Sequence, residues 1–540
     1  QVLGLTTVDS EGQSGLESRY EDVLRGTEGS YLRQVDARNR QLDGTEGWYI
    51  PSQQGCGLVL TIDAEIQEMV EKAMRECIEV NQAQSVICLV SDVKTGAILA
   101  MCMNPCYDPN DPPRNDAETL TELMRLTAIS DVYEPGSTFK ILTAAAALDS
   151  GVTTPQDSFY CSAKITVDGD TIRCWGRPHG AETMADGLKN SCNPGFVELA
   201  LRMGTDTFYR YLTAFGLGKK TGIDLPGESP GILITSRNVK RVDLARIGFG
   251  QSVALTPIQM MMAANSVING GKLMKPYIVS EIQTPDGETL ERFHPTVMAA
   301  PIRPETSDTM RLLLERVVSE GGGKNAAIAG YRIGGKTGTA QVYKNGRVVR
   351  DTHIGSFYGF APVNDPQVSI LVIVKEADVP IDYGGTTAAP FARQIMQEML
   401  PYLGIDPEND EKDEEIEVPA LKGLTIGDAK RKLSQVGLES VTDGVNTVVL
   451  DQLPPAGARL VKGGHVMLYT AGSEELTPEE LVCVPELTGL GDVDCARLVR
   501  QRGLTMSMTG QGLCTEQSPA AGEYVQPGTT IFLLMAGDDE

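Results

Sequence analysis

DVYEPGSTFKILTAAAAL, residues 131–148, decides how this chain is read. Pro135 and Gly136 break the segment before it, and the alanine-rich run after Lys140 reads as a buried helix. Ser137 and Lys140 are three residues apart, so on a helix they share one face and the amine lies beside the hydroxyl. A lysine pressed against apolar helix has its charged form disfavoured, which lets it act as the base that a weak serine nucleophile needs. A bare Ser-x-x-Lys pattern is common by chance, so the weight rests on its company in the chain.

Two further motifs come after it in order. Ser191-Cys192-Asn193 lies in LKNSCNPGFVELA, and Lys336-Thr337-Gly338-Thr339 lies in YRIGGKTGTAQVY. Each has decoys. Lys94-Thr95-Gly96 sits between the apolar runs SVICLVSDV and AILAMCM, where Thr-Gly makes a hairpin turn. Lys220-Thr221-Gly222 is in a loop by composition, and Ser236-Arg237-Asn238 has no helix or apolar anchor beside it. Only Lys336 follows Gly-Gly and precedes a strand-like Thr-Ala-Gln. The ordered set points to serine acyl transfer.

The remaining sequence frames that site. A chain of 540 residues is too long for one core and predicts several domains. Its net charge of -25 excludes a nucleic-acid face and favours solubility. Leu60–Val80 has helical spacing, the Lys94 hairpin follows, and the nucleophile helix comes next. HIGSFYGFAPV (353–363) and VSILVIVKEA (368–377) read as strands, and FARQIMQEMLPYL (391–403) as a helix. The expected fold is multidomain α+β: one sheet flanked by the first and last helices, with Ser137 and Ser191 on an all-helical side. The acidic run Asp406–Glu417 reads as a linker. No apolar run reaches the length of a membrane span and no signal sequence is present, while the chain opens on Gln1 without methionine.

The tail repeats itself. VPALKGLTIGDAKRKLSQVGL from Val418 matches VPELTGLGDVDCARLVRQRGL from Val484, an offset of 484 − 418 = 66. Each copy reads as a helix followed by short strands, and two copies make two small beads rather than a solenoid.

YEPGSTFK, KNSCNPGF, GFGQSVALTPIQM and GGKTGTAQ, in that order, closely resemble the class B penicillin-binding proteins, monofunctional peptidoglycan transpeptidases. The tail units resemble PASTA domains, and GQSGLESRYEDVLRGTEG (12–29) resembles the end of the pedestal that precedes the transpeptidase domain in that class. Within the class, the paired tail and the many cysteines look most like the members that serve sporulation or division. The resemblance divides the chain into pedestal 1–55, transpeptidase domain 56–405, linker 406–415 and PASTA-like units 416–473 and 482–540. It implies that Ser137 attacks a stem peptide ending in D-Ala-D-Ala and forms an acyl-enzyme. Lys140 would be the base, Ser191 a proton relay, and Asn193 the holder of Lys140 and the substrate amide. Lys336 would supply positive potential, Thr337 and Thr339 would bind the substrate carboxylate and acyl chain, and Gly338 would let substrate approach. The oxyanion hole would be the N–H groups of Ser137 and Thr339. β-Lactams would trap Ser137. Expected partners are nascent peptidoglycan and a membrane polymerase of the shape, elongation, division and sporulation family, and the expected location is the outer face of the cell membrane, anchored by a segment upstream of Gln1.

The 11 cysteines carry a second expectation. Cys161 and Cys174 flank CSAKITVDGDTIRC, whose Asp-Gly turn makes a hairpin; His179 is one of four histidines, and Cys192 is the middle of Ser-x-Asn. Three thiolates and an imidazole suit a closed, structural zinc site. The alternatives are a Cys161–Cys174 disulfide and, more weakly, a Cys174–Cys192 disulfide that disables the site. Cys56, Cys77, Cys88, Cys102 and Cys106 read as core thiols. Two other function classes compete: a D,D-carboxypeptidase or β-lactamase-like hydrolase using the same serine, and a wall-binding scaffold in which the tail units act.

Overall fold

Asp63 accepts hydrogen bonds from the backbone N–H groups of Glu65 and Ile66 and so caps helix α1 (Ala64–Val80). The helical spacing read from Leu60 therefore starts late, and Gly57–Leu60 is a strand. The computed structural model describes residues 1–540 except 33, 39–47, 177, 345–346, 380–381, 409–414, 443–447, 471–481, 511, 520, 522–523, 526–528 and 537–540. Most of the expected linker and the spacer between the tail units thus lie outside the described residues. The described chain forms two units, Gln1–Ile416 with Arg459–His465, and Glu417–Ala458 with Val466–Glu540.

After α1 the first unit continues with strands β1 (Ala83–Asp92) and β2 (Ile98–Asn104), helix α2 (Lys140–Asp149), and four short strands. These are β3 (Ser158–Cys161), β4 (Lys164–Val167), β5 (Asp170–Arg173) and β6 (Gly180–Thr183). Helix α3 (Asn193–Ala214) follows, then β7 (Gly334–Lys344), β8 (Arg347–Ala361), β9 (Val368–Ala377) and helix α4 (Ala389–Tyr402).

One antiparallel sheet, ordered β7-β8-β9-β1-β2, organises this unit, with the Lys336 motif on its edge strand. Alternation along β1 divides the core in two. Val86, Cys88 and Val90 face α1 and α4, packing in one cluster with Val70, Met74, Met396 and Met399. Ile87 and Leu89 belong to a larger cluster on the other face, with Phe139, Leu142 and Phe196 of the helical side. Both faces are covered, which is why these strands read as continuous apolar runs rather than as alternating ones. This is the expected α+β arrangement, with Ser137 and Ser191 on the helical side.

Two expectations need correction. Cys77, Cys88 and Cys102 are buried, but Cys106 is exposed and Cys56 only half-buried. Cys106 lies beyond the end of β2, past Asn104-Pro105, and leaves the sheet with the chain. The last residues of the acidic run, Glu415–Glu417, form a strand rather than a linker.

The second unit holds most of the tail repeats. In the first, helix Ile426–Gln435 accompanies a three-stranded sheet centred on His465–Tyr469. In the second, helix Asp492–Gln501 accompanies a sheet centred on Thr530–Ala536. Each repeat has its own small sheet and helix, as the 66-residue offset between Val418 and Val484 implies.

Candidate active site

Ser137 does not begin an α-helix. It lies in a 3-10 turn, Gly136–Phe139, that leads into α2. The tighter turn stacks residues i and i+3 and leaves Ser137 half-buried above a fully buried Lys140. Gly136 is left-handed at φ +53°, Thr138 Oγ1 donates to Pro135 O at 2.7 Å, and Gly136 N donates to Gly250 O at 3.0 Å. A Cβ on Gly250 would stand 2.0 Å from Gly136 O, so this close approach requires glycine. Glu134 adds a further tie by accepting from Ser252 N at 2.9 Å. Sequence reading quoted both YEPGS and GFGQS as motifs but did not join them.

Ser191 also adopts a left-handed conformation, at φ +57°. Cys192 is the N-cap of α3 and Asn193 its first residue. The Lys140 amine donates to Ser191 O at 2.5 Å, to Ser191 Oγ at 3.2 Å and to Asn193 Oδ1 at 2.7 Å. Among the described residues its hydrogen bonds go to the Ser-x-Asn motif and none goes to the Ser137 hydroxyl. From the opposite side the Lys336 amine donates to Ser191 Oγ at 3.0 Å and to Thr337 O at 3.1 Å. Burial pushes the Lys140 amine down to about 7 against the partial opposition of Cys174, Cys192 and Glu182. Burial, with Lys140 nearby, also pushes Lys336 well below the ordinary lysine range. Two buried amines, one of them a turn of chain from Ser137, thus converge on one hydroxyl, that of Ser191, an arrangement suited to proton transfer at a serine.

Along β7, Lys336, Gly338 and Ala340 are buried while Thr337 and Thr339 are half-exposed, as strand alternation requires. A Cβ on Gly338 would fall 2.4 Å from Ser356 Oγ, 2.9 Å from Thr138 Cγ2 and 3.1 Å from Pro135 O. A glycine here leaves room for the nucleophile turn. On the other side, a Cβ on Gly136 would fall 2.5 Å from Thr339 O. The decoys lie elsewhere. Lys94 pairs with Asp365 at 2.6 Å, Thr221 is bound by Glu228, and Ser236-Arg237-Asn238 is a surface turn.

Beside this pocket the four expected ligands come together. Asp168 and Gly169, both at positive φ, turn the β4–β5 hairpin, and Cys161 ends β3. The ligand atoms of Cys161, Cys174, His179 and Cys192 all lie within 4.8 Å of one another. Cys161 and Cys192 are buried, Cys174 half-buried, and all three are free thiols, so neither expected disulfide is formed. A hydrogen bond from Cys192 pushes the Cys174 thiol down, while Cys192 is pushed up by the same bond and by burial.

Sequence reading missed three supports of this corner. Asn193 Nδ2 donates to Arg173 O at 3.0 Å, and Trp175 Nε1 donates to Asn190 O at 2.9 Å. The third is Glu182, whose side chain is 3% exposed and whose Oε1 lies 3.7 Å from His179 Nδ1. The hairpin is thereby fastened to the Ser191 segment from several directions.

The chain matches the model of the penicillin binding protein transpeptidase domain over residues 86–397, the PASTA domain model over 416–472 and 482–537, and the penicillin-binding protein dimerisation domain model over 3–60. It is 38% identical to stage V sporulation protein D of Bacillus subtilis over 88% of this chain and 74% of that protein. It is 30% identical to the peptidoglycan D,D-transpeptidase FtsI of Escherichia coli K12 over 75% of this chain and 66% of that protein. Among solved structures it is similar to penicillin binding protein 3 of Mycobacterium tuberculosis complexed with aztreonam: TM-score 0.67, 28% identity, 75% of this chain and 89% of that one.

Proposed function

The chain belongs to the class B penicillin-binding proteins and is a serine-type peptidoglycan D,D-transpeptidase, and from that premise we propose that Ser137 is the residue it acylates. The observation that carries this reading is the buried Lys140 amine. It is pushed down to about 7 and held between Ser191 and Asn193, three residues from Ser137. Its neutral form takes the Ser137 proton as Oγ attacks the penultimate carbonyl of a stem peptide ending in D-Ala-D-Ala. The tetrahedral oxyanion is received by the N–H groups of Ser137 and Thr339. Ser191, in contact with both lysines, passes the proton to the leaving nitrogen, and D-alanine departs. An amine of a neighbouring stem then attacks the acyl-enzyme, closing a crosslink and freeing Ser137. Asn193 holds Lys140 and the substrate amide. Lys336 supplies positive potential, and Thr337 and Thr339 take the substrate carboxylate at the sheet edge.

β-Lactams enter the same pocket and remain on Ser137. A fluorescent penicillin tests this: wild-type enzyme gains one stable adduct on the peptide holding Ser137, and Ser137→Ala gains none. Rapid turnover of the adduct would instead favour a β-lactamase-like hydrolase.

The wall served is that of the septum or the spore cortex, and the higher identity to the sporulation protein favours the spore. A membrane anchor upstream of Gln1 and a glycan polymerase partner complete the reading. Among the described residues no helix is long and apolar enough to cross a membrane.

Cys161, Cys174, His179 and Cys192 hold a structural zinc ion in this reading. A compact set of three free thiols, one already inclined to thiolate, and one imidazole fits that metal. The acyl transfer needs no cofactor; zinc would crosslink the hairpin to the segment bearing Ser191 and Asn193. Metal analysis of protein purified without oxidation tests it: one zinc per chain, lost on Cys192→Ser, is expected, and no zinc with two thiols missing from titration would refute it.

A further inference from the structure

Behind the Lys336 motif lies a histidine–carboxylate pair that the acylation chemistry does not use. Asp382, whose side chain is 7% exposed, accepts from the His353 backbone N at 2.6 Å and contacts the ring Nδ1 at 2.8 and 3.0 Å. His353 stands on β8 opposite Gln341 of β7, two residues along from Thr339. One carboxylate thus grips both the main chain and the ring of a single strand residue.

The turn after Asp382 is pressed onto β7. Gly384 N donates to Thr339 Oγ1 at 3.4 Å, and a Cβ on Gly384 would fall 2.3 Å from Gly338 O and 2.1 Å from Ser356 O. A Cβ on Gly385 would stand 3.6 Å from Thr337 Cγ2, and Asn325 Nδ2 holds Gly385 O at 2.9 Å. A Cβ on Gly355 would meet Thr387 Oγ1 at 2.3 Å and Asp382 O at 3.0 Å. The turn after Asp382 therefore bonds Thr339 through Gly384 and passes beside Thr337 at Gly385, and Asp382 sets where it begins.

The bond to Thr339 has a chemical consequence. A threonine hydroxyl has one proton to give and lone pairs to receive. With a lone pair occupied by Gly384 N–H, its proton stays available for another acceptor.

We propose that His353 and Asp382 are positioning residues that hold the Tyr383–Gly385 turn against Thr337–Thr339 and so aim the Thr339 hydroxyl at the substrate carboxylate. This rests on the proposed role of Thr337 and Thr339 in binding that carboxylate. Neither His353 nor Asp382 touches substrate in this role.

The test compares acylation of the full chain by a fluorescent penicillin and by its methyl ester, which lacks the anionic carboxylate. Wild-type enzyme should prefer the acid. Asp382→Ala should slow acylation by the acid about tenfold, leave the slow reaction of the ester unchanged, and show no further loss when His353→Ala is added. Asp382→Asn, which keeps an acceptor for the His353 N–H, should recover part of the rate. Equal losses on acid and ester, or no loss on either, would overturn the proposal. Equal rates of acid and ester in wild type would instead refute the carboxylate role of the threonines, and the proposal with it. Should Asp382→Ala not fold, His353→Ala alone, which leaves the main-chain bond to Asp382 in place, is read in the same way with a smaller loss.

Discussion

The amines of Lys140 and Lys336 share one acceptor: Ser191 Oγ lies 3.2 Å from the first and 3.0 Å from the second. Both amines are fully buried and both are pushed below the ordinary lysine range, chiefly by that burial. The hydroxyl between them is the natural path for a proton, and its left-handed backbone places it there.

Acylation should rise with pH along a limb centred near 7. Lys140 acts as a base only when neutral, and its amine is pushed down to about 7. Rates of penicillin acylation measured from pH 5 to 9 check this; a limb centred near the ordinary lysine value would exclude Lys140 as the base.

Lys140→Met should abolish acylation yet raise thermal stability, and more at low pH. The folded-state value of about 7 lies below the ordinary 10.5, so between the two the unfolded chain binds more protons and native stability rises with pH. Below about 7 the burden of the buried charge is complete, on the order of 5 kcal/mol. Melting curves of both proteins at about pH 6 and pH 9 should differ most at the lower value.

Ser191→Ala removes the acceptor shared by both amines. Loss of a proton relay slows chemistry by about 10²–10⁴-fold. Stability should fall by about 1–3 kcal/mol because buried donors lose a partner. Stopped-flow acylation and urea unfolding separate the two effects.

Gly338→Ala should impair acylation without touching a reacting group. Its Cβ would lie 2.4 Å from Ser356 Oγ and 2.9 Å from Thr138 Cγ2, so β7 and the nucleophile turn must part. Overpacking of this kind costs about 1–3 kcal/mol. Ser356→Ala in the same chain should recover only part of the rate, because Thr138 still obstructs.

If Cys161, Cys174, His179 and Cys192 hold zinc as proposed, its removal should loosen the hairpin that supports Asn193. Trp175 bonds Asn190 O and is one of two tryptophans, the other being Trp48. In a Trp48→Phe background, chelation should shift Trp175 emission and slow acylation, and added zinc should restore both.

The motifs and the sheet were legible because each has a local signature: Ser137, Lys140 and Lys336 by spacing, β9 by an apolar run, and the Asp168-Gly169 turn by composition. The three cysteines and the histidine of the cluster could be grouped because they fall within 32 residues, Cys161 to Cys192. What escaped was long-range. No pattern links Glu134 to Ser252 or His353 to Asp382, since those pairs form only when separate elements pack. The packing of Gly338 against Thr138 escaped for the same reason: the two lie 200 residues apart in sequence. The 3-10 turn at Ser137 escaped because helix spacing alone does not distinguish it from the first turn of an α-helix.

The glycines at 136, 250 and 338 bear on how such an enzyme can escape an antibiotic. Each fits where a single added carbon would lie within 2.5 Å of a neighbouring atom. Enlarging any of these three glycines is therefore closed to selection, since it would disable wall synthesis along with drug capture. Mutational escape is steered outward, to the elements that support the pocket rather than to the residues that meet substrate.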